Sequence, residues 1–164
     1  APRRPNQLAT QLVTKAPATK SSLGWGRPGR NLNYSCYQIT PQPESDKYWE
    51  GANKGKLLLQ KFGDHIQFYP RAVSTKDGSR DVEWIEASGK ATLYTFTIVH
   101  QHPHPSFVDD VPYIAAIVTL EEGVNMPTRI IGIDPEPENL TLGMDLTLDF
   151  IDADGQKLPV FKPA

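Results

Sequence analysis

Cysteine is nearly absent from this chain: Cys36 is the only one in 164 residues. A lone thiol closes no intramolecular disulfide, so a reducing compartment is the simplest context, and the cytoplasm is the expected location. Long apolar runs are missing as well. Nothing approaches the roughly 20 apolar residues that span a bilayer, and no apolar segment follows a basic start as in a secretory signal. No membrane association is therefore expected. Acidic residues are missing from one region only: residues 1–40 carry Arg3, Arg4, Lys15, Lys20, Arg27 and Arg30 without a single Asp or Glu. That stretch holds +6 and the rest of the chain −8, the difference from the overall −2. Neither a Gly-rich phosphate loop nor a G-x-S-x-G elbow occurs, which removes the commonest phosphate-binding and serine-nucleophile signatures.

What is present divides into three parts. Residues 1–42 form a basic segment rich in Pro, Ser, Thr, Gln and Gly with no sustained hydrophobic period, and they read as an extended or disordered arm. The same composition fits an organellar transit segment. Its "GRPGR" fragment has the chemistry to lie in a narrow minor groove, but an acidic body repels phosphate and weighs against nucleic acid. Cys36, in "NLNYSCYQ", has no neighbouring base to activate it as a nucleophile.

Residues 43–81 begin with "PQPESDKYWEGANKGK". Ser45 suits an N-cap, Tyr48, Trp49 and Ala52 share a helical face, and Gly55 suits the left-handed residue that ends a helix. "KLLLQKF" and "IQFYPR" then predict a hairpin, the second strand ending at Pro70. From residue 82 to 164 the pattern turns to longer strands: "DVEWIEASG", "ATLYTFTIVHQ", "VPYIAAIVTL", "TRIIGI" and "LTLDFIDADGQKLPVF", with "EEG" and "DADG" as turns and a short helical turn within "DPEPENLTLGMD". Five or six strands without an intervening helix predict a mainly β fold, a small antiparallel barrel, with a sandwich as the alternative.

The motifs "KYWEGANKGKLLLQK", "FYPR", "EWIEASGKATLYTFTIVH", "PYIAAIVTLEEGV", "IIGI", "LTLGMDLTLDF" and "LPVFKP" occur in this order. Through them, residues 43 to 163 resemble the DUF35 family of acyl-CoA-associated OB-fold proteins. The resemblance implies a short helix, a rubredoxin-like zinc ribbon and a C-terminal OB-fold barrel. It also implies an accessory subunit working beside a thiolase-fold enzyme in a hetero-oligomer, with a CoA thioester as a shared ligand. The family's two C-x-x-C pairs fall on Gln60, Gly63, Ser74 and Asp77 in this chain. None is a thiolate, so the ribbon is expected as a remnant without zinc, His65 and Asp77 making at most a poor two-ligand site.

The residues expected to contact acyl-CoA or a partner are Arg71, Trp84, Lys90, Tyr94, His100 and Tyr113, the basic ones for CoA phosphates and the aromatic ones as walls. Phe96 is a further aromatic candidate, and core packing competes with contact for each ring. His100, His102 and His104 alternate in "HQHPHP", a spacing that suits metal or a rim loop. Asp109-Asp110 and Glu121-Glu122 are adjacent and so point to opposite faces of a strand, which makes them solvated charge rather than acid/base couples. No catalytic residue, bound cofactor or metal ion is expected. A free-standing OB-fold module binding nucleic acid is the competing class, since such barrels present aromatics to single strands.

Overall fold

A computed structural model describes residues 40–101, 110–153 and 155–164 of the chain. The arm over residues 1–39, with GRPGR and Cys36, lies outside the described residues, as do His102, His104 and Asp109.

Helix α1 (Asp46–Asn53) forms where the sequence places it, burying Tyr48 and Ala52 while Trp49 is half-buried. Ser45 occupies the N-cap position but makes no side-chain cap. Its hydroxyl instead closes the preceding turn, accepting from the Gln42 N–H at 2.9 Å and donating to the Gln42 carbonyl at 3.0 Å. The C-terminus follows the expected rule: Gly55 has φ +76°, its N–H donates to Ala52 O, and the Lys56 N–H reaches back to Gly51 O. That paired closure satisfies carbonyls the helix leaves open. Gly51 is needed for a different reason, because a Cβ there would sit 2.7 Å from Leu58 Cγ.

Strands β1 (Leu58–Phe62) and β2 (His65–Gln67) make the hairpin, and β3 (Glu83–Glu86) pairs with the other edge of β1, giving the order β2-β1-β3. Glu83–Glu86 was expected to open the barrel at residue 82. It joins the first sheet instead, with Leu58 opposite Glu86 and Gln60 opposite Trp84. Strand alternation says which face is buried and not which sheet a strand enters, so the second sheet starts at β4. β2 also ends at Gln67, three residues before Pro70.

Strands β4 (Lys90–Val99), β5 (Tyr113–Leu120), β6 (Asn125–Ile130), β7 (Asp145–Ala153) and β8 (Gln156–Pro163) form a closed barrel in the order β4-β5-β6-β8-β7. The barrel replaces the sandwich alternative, and a single 3-10 turn at Pro137–Asn139 supplies the short helical turn before β7. β5 buries every second residue, Ile114, Ala116, Val118 and Leu120, as a strand with one inward face should. Its partner β4 alternates until Leu93, where the register shifts before Thr95 and leaves Tyr94 as an inserted, 61% exposed residue.

One apolar core joins the parts. Tyr48, Leu57 and Leu59 of the helix and first sheet belong to the same buried cluster as Leu93, Val118, Leu146 and Phe161 of the barrel. Asn53 adds a polar tie, its Oδ1 accepting from the Lys157 N–H at 2.9 Å and its Nδ2 donating to Gln156 Oε1 at 3.2 Å. The helix is thereby fixed to the start of β8.

Candidate functional site

The segment over residues 60–79 is short and polar, yet three of its polar side chains are buried: Gln60, Gln67 and Ser74 are 2%, 5% and 3% exposed. Burial of an amide is costly unless its hydrogen bonds are made. The two-residue Gly63-Asp64 turn sets the β1–β2 register, which places Gln60 directly opposite Gln67. Gln67 Nε2 donates to Gln60 Oε1 at 3.0 Å and to Val73 O at 3.3 Å, and Gln67 Oε1 accepts from the Thr75 N–H at 2.9 Å and the Thr75 hydroxyl at 3.2 Å. Gln60 Oε1 also accepts from the Arg71 N–H at 2.8 Å. The second knuckle closes on itself, with Ser74 N–H bonded to Ser79 O and Gly78 N–H to Ser74 O. Asp77 accepts from the Ser79 N–H at 3.0 Å, and that bond, with one to the Ser74 side chain, holds its carboxyl below the usual aspartate range. His65 is engaged too, its Nε2 lying 3.0 Å from the Thr75 hydroxyl.

Phe68 and Tyr69 of this segment cluster with Tyr48 and Trp49 of α1 in edge-to-face and tilted contacts, with Tyr48 and Trp49 ring centres 4.8 Å apart. The Trp49 indole N–H donates to the Tyr69 hydroxyl at 2.8 Å. Burial pushes the Tyr48 hydroxyl far above its ordinary pKa, and neighbouring Tyr69 adds to the shift, so Tyr48 stays neutral. It is a core ring here, not an acid or base.

At one end of the barrel Arg129 of β6 makes a bidentate pair with Asp110, at 2.5 and 2.8 Å, and its guanidinium lies 4.7 Å from the Tyr113 ring centre. Asp110 is thus buried and paired, against the expectation of solvated charge. Glu122 also differs from that expectation: its Oε1 accepts from the Ser88 N–H at 2.6 Å, tying the β5–β6 turn to the segment before β4. Neither residue could be assigned a partner from sequence, because each partner lies far away in the chain. The Gln60–Gln67 pair was within reach, since a two-residue turn fixes which residues oppose each other.

The six expected contact residues do not converge on one place. Trp84 lies on β3 of the first sheet, half-buried against the core, and Arg71 is exposed in the loop after β2. Lys90 and His100, both exposed, lie at opposite ends of β4, roughly 30 Å apart at strand rise. His100 and Tyr113 share one end of the barrel, where Val99 pairs with Tyr113. Tyr94 stands alone on the bulge, and Phe96 packs on the core. Among the described residues, no three His, Cys, Asp or Glu side chains group as a metal site, and no helix is long and apolar enough to cross a membrane.

The family model describing the C-terminal OB-fold domain of ChsH2 matches residues 84–150. A DUF35 domain-containing scaffold protein of Pyrococcus furiosus is 36% identical over 104 residues, covering 62% of this chain and 74% of the relative. The chain belongs to the DUF35 family. Its fold is similar to the solved structure of the Ltp2-ChsH2(DUF35) aldolase, with a TM-score of 0.68 and 30% identity over 77% of this chain and 98% of that one. A probable enoyl-CoA hydratase alpha subunit of Thermomonospora curvata is 32% identical over 133 residues, 77% of this chain. This DUF35 chain spans only 40% of that hydratase subunit's length.

The zinc that a DUF35 ribbon implies does not fit these residues. Tetrahedral zinc takes four thiolate, imidazole or carboxylate ligands. The four positions offer an amide already hydrogen-bonded, a glycine with no side chain, a buried hydroxyl and a single exposed carboxylate turned toward Ser79 and Ser74. The ribbon shape of this DUF35 protein is built on amide hydrogen bonds.

Proposed function

We propose that this chain is a non-catalytic accessory subunit of an acyl-CoA-processing enzyme, docking on a thiolase-fold partner and helping to form or channel its acyl-CoA site. The observation that carries the reading is the fold-level and 30% sequence likeness to the Ltp2-ChsH2(DUF35) aldolase over nearly all of that chain. A scaffold protein and a hydratase alpha subunit among the relatives support the same assignment. The chemistry of the described residues agrees with it. The buried ionisable pair Asp110–Arg129 is mutually satisfied, the one tyrosine with a raised pKa is a core ring, and the six contact candidates are spread over the surface instead of lining one cleft. Such a chain contributes surface to a site completed by another protein.

The test is affinity capture of the tagged chain from its native host, followed by acyl-CoA assays on the chain alone and on whatever it retains. Stoichiometric recovery of an acyl-CoA enzyme whose activity falls without this chain is the expected result. Turnover by the pure chain would overturn the reading, and retention of nucleic acid that resists salt would favour an OB-fold module of the other class. Tyr94 is the first residue to vary. An exposed aromatic on a bulge can anchor a partner, so Tyr94→Ala is expected to weaken the captured complex by about tenfold or more while leaving Tm unchanged.

A further inference from the structure

We infer that Gln67 takes the place of the ribbon's metal, as a buried amide clasp that closes both knuckles without zinc. A primary amide has two N–H donors and two lone pairs on its oxygen. Gln67 uses all four: the donors go to Gln60 on β1 and to Val73 in the connecting loop, and the oxygen holds the backbone and hydroxyl of Thr75 beside the second knuckle. One side chain on β2 thus ties β1 to the loop over residues 73–75, which is the topological task of a metal bound between two knuckles. Gln60 extends the network by fixing the Arg71 N–H just after the aromatic turn. Every group in the chain of bonds is neutral, so no charge has to be desolvated to bury it. The clasp has no thiolate to oxidise and no metal to lose, so the segment that carries Tyr69 and Arg71 keeps its shape under chelation and oxidation.

The inference does not depend on the accessory-subunit reading, and the isolated 164-residue chain tests it. Metal analysis after purification without added metal is expected to give zinc well below one per chain, and 1,10-phenanthroline is expected to leave Tm unchanged. Gln67→Leu strands Gln60 Oε1, Val73 O and the Thr75 N–H in part, and is expected to melt about 5 °C lower or more. Hydrogen exchange locates the loss: protection should fall at the Arg71 and Thr75 amides and persist at Leu93 and Ile131, whose N–H groups bond within the barrel. Gln67→Glu adds a pH signature. A carboxylate cannot donate to Gln60 Oε1, whereas the protonated acid can, so the folded-state pKa of the new group lies above its unfolded value of about 4.3. Its stabilisation is then complete below that value and lost as pH rises through the folded pKa, so this variant should regain Tm relative to the parent on acidification. One tightly held zinc per chain with a Tm that drops on chelation would overturn the clasp. Parent-like Tm and parent-like Arg71 and Thr75 protection in Gln67→Leu would overturn it as well.

Discussion

Replacing Arg129 with alanine is expected to cost about 3–5 kcal/mol of unfolding free energy, measured by urea denaturation at neutral pH. The Asp110 side chain is only 8% exposed and that of Arg129 20%, and the two share both carboxylate oxygens through parallel N–H groups at 2.5 and 2.8 Å. Removing the guanidinium leaves a carboxylate out of water with its main compensating charge gone. It also removes the cation lying over Tyr113. The double variant Asp110→Leu with Arg129→Met distinguishes the mechanism. If the cost comes from an orphaned charge, the pair removed together should be considerably milder than the Arg129 single variant, giving a coupling energy of about 2 kcal/mol or more. If the double variant is as damaged as the sum of the singles, packing and not charge is what Arg129 supplies. Asp110 sits where the chain returns to β5, next to the barrel end that carries His100 and Tyr113.

Phe161→Ala is expected to be as damaging, about 3–5 kcal/mol, by the same urea measurement. Phe161 is completely buried on β8 in the main core. Its backbone pairs with Ile130 in the one parallel register of the barrel, accepts from the Ile131 N–H, and faces Leu148 of β7. The ring therefore fills the core at the seam where the barrel closes, with little regular ladder on the β6 side to compensate. A cavity there should destabilise the barrel and, because Tyr48 and Leu59 share its cluster, the helix and first sheet together. Coincident unfolding of near-UV absorbance bands and far-UV circular dichroism would show that the parts unfold as one. Separate transitions, with the first sheet surviving barrel loss, would contradict a common core.

Several features were legible because their causes are local. The helix over Asp46–Asn53 and its Gly55 terminus follow from a buried face of Tyr48 and Ala52 and a residue that tolerates positive φ. The β4, β5, β7 and β8 strands follow from runs rich in β-branched and aromatic residues and from turn signals such as "EEG" and "DADG". The lack of thiolates at the four ribbon positions was equally plain, since it depends only on which residues stand there. Other features were not legible. Glu83–Glu86 has the pattern of a strand, but whether it pairs with β1 or a barrel strand is decided by distant hydrogen-bonding partners. Asp110 looks like solvated charge in sequence, and only the approach of β6 supplies Arg129.

The sequence by itself determined the mainly β architecture, the family, the short helix and the lack of thiolate ligands, because each depends on side-chain type and short-range periodicity. The tertiary structure decided what replaces those ligands, which contact candidates stand together, and where buried charge is paired. Those outcomes depend on long-range register and on which surfaces lose their water. A buried amide or carboxylate is tolerated only when folding brings its partner to it, and the partners of Gln67 and Asp110 arrive from other parts of the fold.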